Sequence, residues 1–126
     1  MACNCYSMEI VCYKDLIVWQ KAMTMVEIVY NLTKNLPKEE LFALTNQIRR
    51  AAISVPSNVA EGFGRQSKKE YQQFLSIANG SVCEIETQLF LCVKIGYLTE
   101  DSIQEALQLL SEIGKMIRSI KQKIKV

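Results

Sequence analysis

Seven apolar residues near the end of the chain, Ile103, Ala106, Leu110, Ile113, Ile117, Ile120 and Ile124, recur at alternating spacings of three and four. Such a seam is one face of an amphipathic α-helix and cannot be accommodated by the two-residue period of a strand. The same rhythm returns upstream. Tyr71, Leu75, Ala78, Val82, Ile85, Leu89 and Cys92 form a second stripe, and Leu41, Leu44, Ile48, Ala51 and Val55 a third. Between Asp15 and Asn35 there are two stripes at once: Leu16, Trp19, Met23, Val26 and Tyr30, and Val18, Ala22, Met25, Val29 and Leu32. A helix buried around so much of its circumference packs into a bundle on one side and against another surface, here read as a second subunit, on the other.

Punctuation between the stripes agrees. Pro37 ends the first helix, because proline disfavours helical geometry in the residue before it. Pro56 falls inside the second helix, where its missing N–H and its ring predict a kink. Gly62-Phe63-Gly64 reads as a helix end, Ser67 with Glu70 as a capping box, Gly96 as a stop, and Thr99 as the cap of the last helix. Gly80-Ser81 lies mid-helix, and its small side chains predict close approach of a neighbouring backbone. The expected fold is all-α, an antiparallel up-down-up-down four-helix bundle, with residues 13–126 as the bundle domain and residues 1–12 as an N-terminal extension without regular structure. A chain of 126 residues buries roughly two-thirds of its unfolded surface, enough for one core without metal or disulfide staples.

Several function classes are excluded. The most apolar segment is interrupted by Gln20, Lys21, Glu27 and Lys34, so no membrane span is expected, and no basic, then apolar, leader precedes Glu9. Five scattered cysteines (Cys3, Cys5, Cys12, Cys83, Cys92) suit reduced thiols and a cytoplasmic location. There is no histidine, so Cys3, Cys5 and Cys12 lack a fourth zinc ligand and the Glu-x-x-His pairs of di-iron bundles are impossible. Serines 54, 57, 67 and 81 have no histidine to activate them, and no phosphate-binding glycine loop occurs. The expectation is a non-enzymatic protein with no metal and no cofactor.

Charge points to binding. The net charge of +2 hides an asymmetry, since Lys115, Arg118, Lys121, Lys123 and Lys125 follow the last acid, Glu112. A second basic stretch, Arg49, Arg50, Arg65, Lys68 and Lys69, contains the single acid Glu61. Both are candidates for phosphate contact; Phe63 and Tyr71 are close enough in sequence to stack on bases, but helix-end packing is the expected role of both. On the second helix Gln47, Arg50, Ser54, Ser57 and Glu61 form one polar stripe flanked by Arg49, Asn58 and Arg65. That stripe is either a solvated face with internal bonds or a surface contacting a subunit or partner.

The stretch from Gln47 to Leu89, QIRRAAISVPSNVAEGFGRQSKKEYQQFLSIANGSVCEIETQL, together with Tyr13-Lys14-Asp15-Leu16-Ile17-Val18-Trp19-Gln20 and Gly96-Tyr97-Leu98, resembles the four-helix bundle family named after the 23S rRNA intervening-sequence protein. The resemblance covers about residues 13–120. It implies assembly as a homopentamer, and kinship with accessory proteins of diversity-generating retroelements, which partner a reverse transcriptase and bind nucleic acid through basic surfaces. The family signature corresponds here to Gln47, Arg49, Arg50, Ala51, Ser54, Pro56, Asn58, Ala60, Glu61 and Gly62, then Gly80, Ser81 and Glu84. Two functions follow as expectations. One is a pentameric accessory factor binding RNA or DNA through Arg49, Arg50, Arg65, Lys68, Lys69 and the C-terminal basic residues. The other is a protein scaffold, for example for a reverse transcriptase, whose polar stripe with Ser57 and Glu61 makes the contact.

Overall fold

The computed structural model describes residues 12–124. The expectations for the N-terminal extension, including Cys3 and Cys5, and for Lys125 lie outside the described residues. Four helices make up the fold: α1 (Ile17–Thr33), α2 (Leu44–Phe63), α3 (Lys68–Ile95) and α4 (Glu100–Lys123), with short 3-10 turns at Tyr13–Asp15 and Lys38–Glu40. No strand occurs among the described residues. Each helix packs on the next, and α1 packs on α4 to close the bundle.

The core is built from the stripes read in the sequence. Val18, Ala22, Met25 and Val29 of α1 meet Ile48, Val55 and Val59 of α2, Leu75, Ile85 and Leu89 of α3, and Ile103, Leu110, Ile113 and Ile117 of α4, all buried. Burying a leucine- or isoleucine-sized side chain is worth about 1.5–3 kcal/mol, so these four stripes are the dominant favourable term in folding. The other stripe of α1 is mostly nearer the surface: Leu16 is buried, Trp19, Val26 and Tyr30 are half-buried and Met23 is exposed.

Three local expectations are revised. Leu41 does not join the core: a turn precedes α2, which starts only at Leu44, and Leu41 is exposed together with Phe42, 91% exposed. At Gly80 a Cβ would meet nothing within 4 Å, so the close approach predicted for Gly80-Ser81 is absent within the chain at Gly80, whereas Ser81 is buried. Cys12 is disulfide-bonded, against the expectation of reduced thiols, while Cys83 and Cys92 are free. Helix α2 runs through the buried Pro56 without a break.

Helix ends follow their chemistry. Ser67 Oγ accepts from the Glu70 N–H at 3.3 Å, and Thr99 and Ser102 form a reciprocal capping box at the start of α4. Gly96, at φ +100°, takes the left-handed conformation that ends α3, and its N–H donates to the Cys92 carbonyl. Gly64 ends α2 with ordinary right-handed geometry, so a different glycine, Gly62, carries the constraint there. A Cβ at Gly62 would lie 2.7 Å from Phe74 Cβ and 3.0 Å from Tyr71 Cδ1, so only glycine lets α2 lie this close to α3.

Candidate nucleic-acid interface and the signature residues

The two basic stretches are about fifty residues apart in sequence, yet part of each meets at one end of the bundle. The first residues of α3 lie beside the last turn of α4, and Gln72 fastens them: its Nε2 donates to the Lys121 carbonyl at 3.1 Å and to the Ile124 carbonyl at 2.8 Å. Those carbonyls belong to a helix C-terminus with no further turn to bond to, so the side-chain amide satisfies groups left open by the end of the helix. Lys69, Gln72, Gln73, Ser76, Ile77 and Lys121 line a single open groove of about 640 Å³. Lys68 opens α3, Arg65 stands in the connection before it, and Arg118 and Lys123 flank Lys121 on α4; all four are exposed.

Two of these cations make contacts within the chain. Arg65 donates from Nη2 to Glu61 Oε1 at 2.9 Å, and its guanidinium lies 5.0 Å from the centre of the Phe74 ring. The pair is exposed on both sides, so it adds at most a few tenths of a kcal/mol and leaves the remaining guanidinium donors open. Arg118 folds back along α4 over Gly114, where a Cβ would come within 3.2 Å of Nη1. Lys115, one turn earlier, is exposed.

Arg49 and Arg50 are not at this end. Arg49 is half-buried against the last turn of α1: its Nε donates to Thr33 Oγ1 at 2.9 Å, one Nη donates to the Tyr30 carbonyl at 3.4 Å, and the guanidinium lies 4.5 Å above the Tyr30 ring. Thr33 itself is buried, with its hydroxyl donating towards the Val29 carbonyl. Arg49 therefore acts as a strut between α1 and α2.

Arg50 lines a different, more polar cleft of about 400 Å³ between α2 and α3, with Phe42, Asn46, Gln47, Ser54, Ser81 and Glu84. Here the signature residues hold the two helices together. The hydroxyls of Ser54 and Ser81 are 2.9 Å apart, and Asn58 Nδ2 donates to Ser54 Oγ at 2.8 Å and to the Ser54 carbonyl at 2.7 Å. Gln88, buried beside the cleft, donates to Glu84 Oε2 at 3.1 Å.

The polar stripe read on α2 is divided by this packing. Gln47, Arg50 and Ser54 face the α3 cleft, Glu61 pairs with Arg65, and Ser57 lies on the other side of α2. There Ser57 joins Tyr13, Trp19, Met23, Val26, Ile53, Pro56 and Ala60 in an apolar groove between α1 and α2. Phe63 and Tyr71, expected in helix-end packing ahead of base stacking, pack edge-to-face on each other with centroids 6.2 Å apart. Burial pushes the Tyr71 phenol above its ordinary pKa, as expected of a ring enclosed by protein. Thr33 and Gln72 had no signal in the sequence, since each works through carbonyls or a guanidinium supplied by another helix.

No group of three or more histidine, cysteine, aspartate or glutamate side chains able to hold a metal occurs among the described residues. No described helix is long and apolar enough to cross a membrane.

A family model described as 23S rRNA-intervening sequence protein matches residues 14–119. The fold is similar to the 1.70 Å crystal structure of a protein of unknown function from the S23 ribosomal protein family of Bacteroides thetaiotaomicron. The TM-score is 0.78 and the identity 27%, with 85% of this chain and 100% of that one covered. No curated protein matches the chain.

Proposed function

Because this chain belongs to the 23S rRNA-intervening sequence protein family, we propose that it is a non-enzymatic accessory protein that binds nucleic acid through the phosphate backbone. The observation that carries this reading is that Lys69 and Lys121 line one groove at an end of the bundle fastened by Gln72, with Arg65, Lys68, Arg118 and Lys123 on the adjoining turns. Glu39 and Glu40 on the α1–α2 connection and Glu100, Asp101 and Glu105 on the first half of α4 lie away from this end, whereas Glu61 and Glu70 lie within it. The cations at this end outnumber its acids, and local charge rather than net charge governs attraction to a polyanion at short range.

In this proposal the helices run up-down-up-down and the protein assembles as a homopentameric ring. Short connections between helices favour the antiparallel arrangement. Two unlike apolar surfaces support the ring: the α1–α2 groove with exposed Met23 and Ile53, and the outer face of α3 with exposed Leu91 and Ile95. Unlike surfaces pair head to tail and close into rings, and a ring repeats the basic end as a multivalent face. Light scattering with a labelled structured RNA, at about 50 and then 200 mM salt, tests both parts. The expected result is a pentamer that binds RNA at low salt and releases it at high salt. A monomer contradicts the ring, and indifference to RNA at both salts contradicts the binding.

A protein-scaffold role is favoured by one specific feature, the α2–α3 cleft. The ion pairs among the described residues are Lys21–Glu112 and Glu61–Arg65, so Arg50 and Glu84 face the cleft outside any ion pair, beside the exposed Phe42 ring. Arginine and aromatic side chains in this setting are common anchors of protein contacts. On that reading Arg50→Ala shifts the assembly to smaller species or releases a protein partner while RNA affinity is unchanged; an RNA-specific loss would contradict it.

A further inference from the structure

We infer that the basic end is a reader of double-stranded nucleic acid, recognising the paired phosphate backbones without stacking on bases, and so discriminates against single strands. The inference rests on the nucleic-acid reading above and specifies its ligand.

The reason lies in where the aromatic rings are. Binding of single strands depends on aromatic faces on which unpaired bases stack, at about tenfold or more in affinity per base. Every aromatic residue near the basic end is already engaged. Phe63 and Tyr71 are half-buried against each other, Phe74 lies under the Arg65 guanidinium, and Trp19 packs edge-on against Tyr13 at 5.3 Å. The exposed rings among the described residues, Phe42 and Phe90, are elsewhere: Phe42 precedes α2, and Phe90 lines a groove with Glu100, Ile103 and Gln104 at the start of α4. Phe42 follows Glu39 and Glu40 and shares its cleft with Arg50 and Glu84, and Phe90 shares its groove with Lys94 and Glu100, so at neither ring do cations outnumber acids as they do at the basic end.

What the basic end offers instead suits a backbone. Its cations come from the α2–α3 connection, the first turn of α3 and the last turns of α4, and so are spread across a surface rather than strung along one groove. Between Lys69 and Lys121 the groove floor holds Ile77, Ser76 and Gln73, whose side chains have no aromatic face. A duplex carries phosphate on two strands at twice the linear density of one strand, so a spread of lysines and arginines neutralises more charge on it.

The test compares equal-length duplex RNA, duplex DNA and their separated unstructured strands with the full chain, by fluorescence anisotropy at about 50 mM salt. Duplexes are expected to bind roughly tenfold or more tighter than either strand, with a steeper loss of affinity as salt rises. Ile77→Trp, which places a ring between the two lysines at an exposed position, is expected to raise single-strand affinity by roughly tenfold and so to narrow the gap between duplex and single strand. Equal or tighter binding of single strands by the unaltered chain overturns the inference while the nucleic-acid function stands. Binding of neither form overturns both. If RNA and DNA duplexes differ, the site reads helix shape as well as charge, and preference for paired strands remains the criterion.

Discussion

Replacing Gly62 with alanine adds one methyl group at the tightest point of the α2–α3 packing. Its carbon would lie 2.7 Å from Phe74 Cβ, an atom fixed to the α3 backbone that no rotamer change can move. Ordinary carbon contacts are about 3.5–4.0 Å, so α2 and α3 must part by about 1 Å at this level or the Phe74 turn must shift. Tyr71, at 3.0 Å, gives way more easily because only its ring edge is involved. Overpacking of this kind costs about 1–3 kcal/mol, and alanine's better helix propensity offsets at most about 1 kcal/mol of it. The net loss is about 1–2 kcal/mol, or a fall in Tm of about 3–8 °C for a chain of this size. Gly80→Ala is the matched control: the position is helical, exposed and empty around the added atom, so the same substitution should stabilise by up to about 1 kcal/mol. Both variants are measured by circular-dichroism melting and urea unfolding at one fixed protein concentration, since assembly makes Tm concentration-dependent. A Gly62→Ala protein as stable as the parent refutes the argument that glycine is required there by contact.

Arg49→Lys should lower stability by about 1–2 kcal/mol, because lysine cannot reproduce the Nε bond to Thr33 and the stack on Tyr30, while leaving nucleic-acid affinity unchanged. A variant of normal stability with weakened binding would return Arg49 to the phosphate-contacting set. A double-mutant cycle on Ser54→Ala and Ser81→Ala should show a coupling of about 0.5–1.5 kcal/mol through the bridging hydroxyls, and zero coupling would mean that the bond contributes nothing. Unfolding followed against pH should show stability falling in the alkaline range. Burial, then the Glu40 carboxylate, raises the Cys92 thiol; burial raises Tyr71; burial, then its bond to Glu40, raises Tyr97. Each raised group holds its proton longer when folded, so its stabilisation is complete below its unfolded pKa and is lost as pH climbs through the folded one. A flat profile from neutral pH to about 11 would contradict these environments.

Periodicity was sufficient for the helices because burial follows it so closely here. Val82, Ile85 and Leu89 sit inward on α3, as do Ile103, Leu110 and Ile117 on α4, and each was legible from spacing alone. The start of α2 was not legible: Leu41 continues the apolar spacing, but the turn at residues 41–43 breaks the helix before it. Charge was harder to place. Arg49 and Arg50 are adjacent in sequence and are directed by the helical turn to different neighbours, one to α1 and one to the α3 cleft. Lys69 and Lys121 are distant in sequence and share a groove only because α3 begins where α4 ends. The same holds for Gln72, an ordinary surface glutamine by its sequence until two carbonyls of another helix come within its reach. Helical period is a property of a segment, whereas a binding surface is a property of how segments meet.

The measurement that tests the central claim most directly is the slope of log affinity against log salt for a duplex RNA, for the unaltered chain and for a Lys69→Ala, Lys121→Ala variant. Removing each phosphate-binding cation should reduce the slope by about one per subunit engaged and weaken binding similarly for all sequences, with the fold unchanged by circular dichroism. An unchanged slope and affinity would show that nucleic acid, if bound, is held elsewhere than at the end of the bundle where α3 begins and α4 finishes.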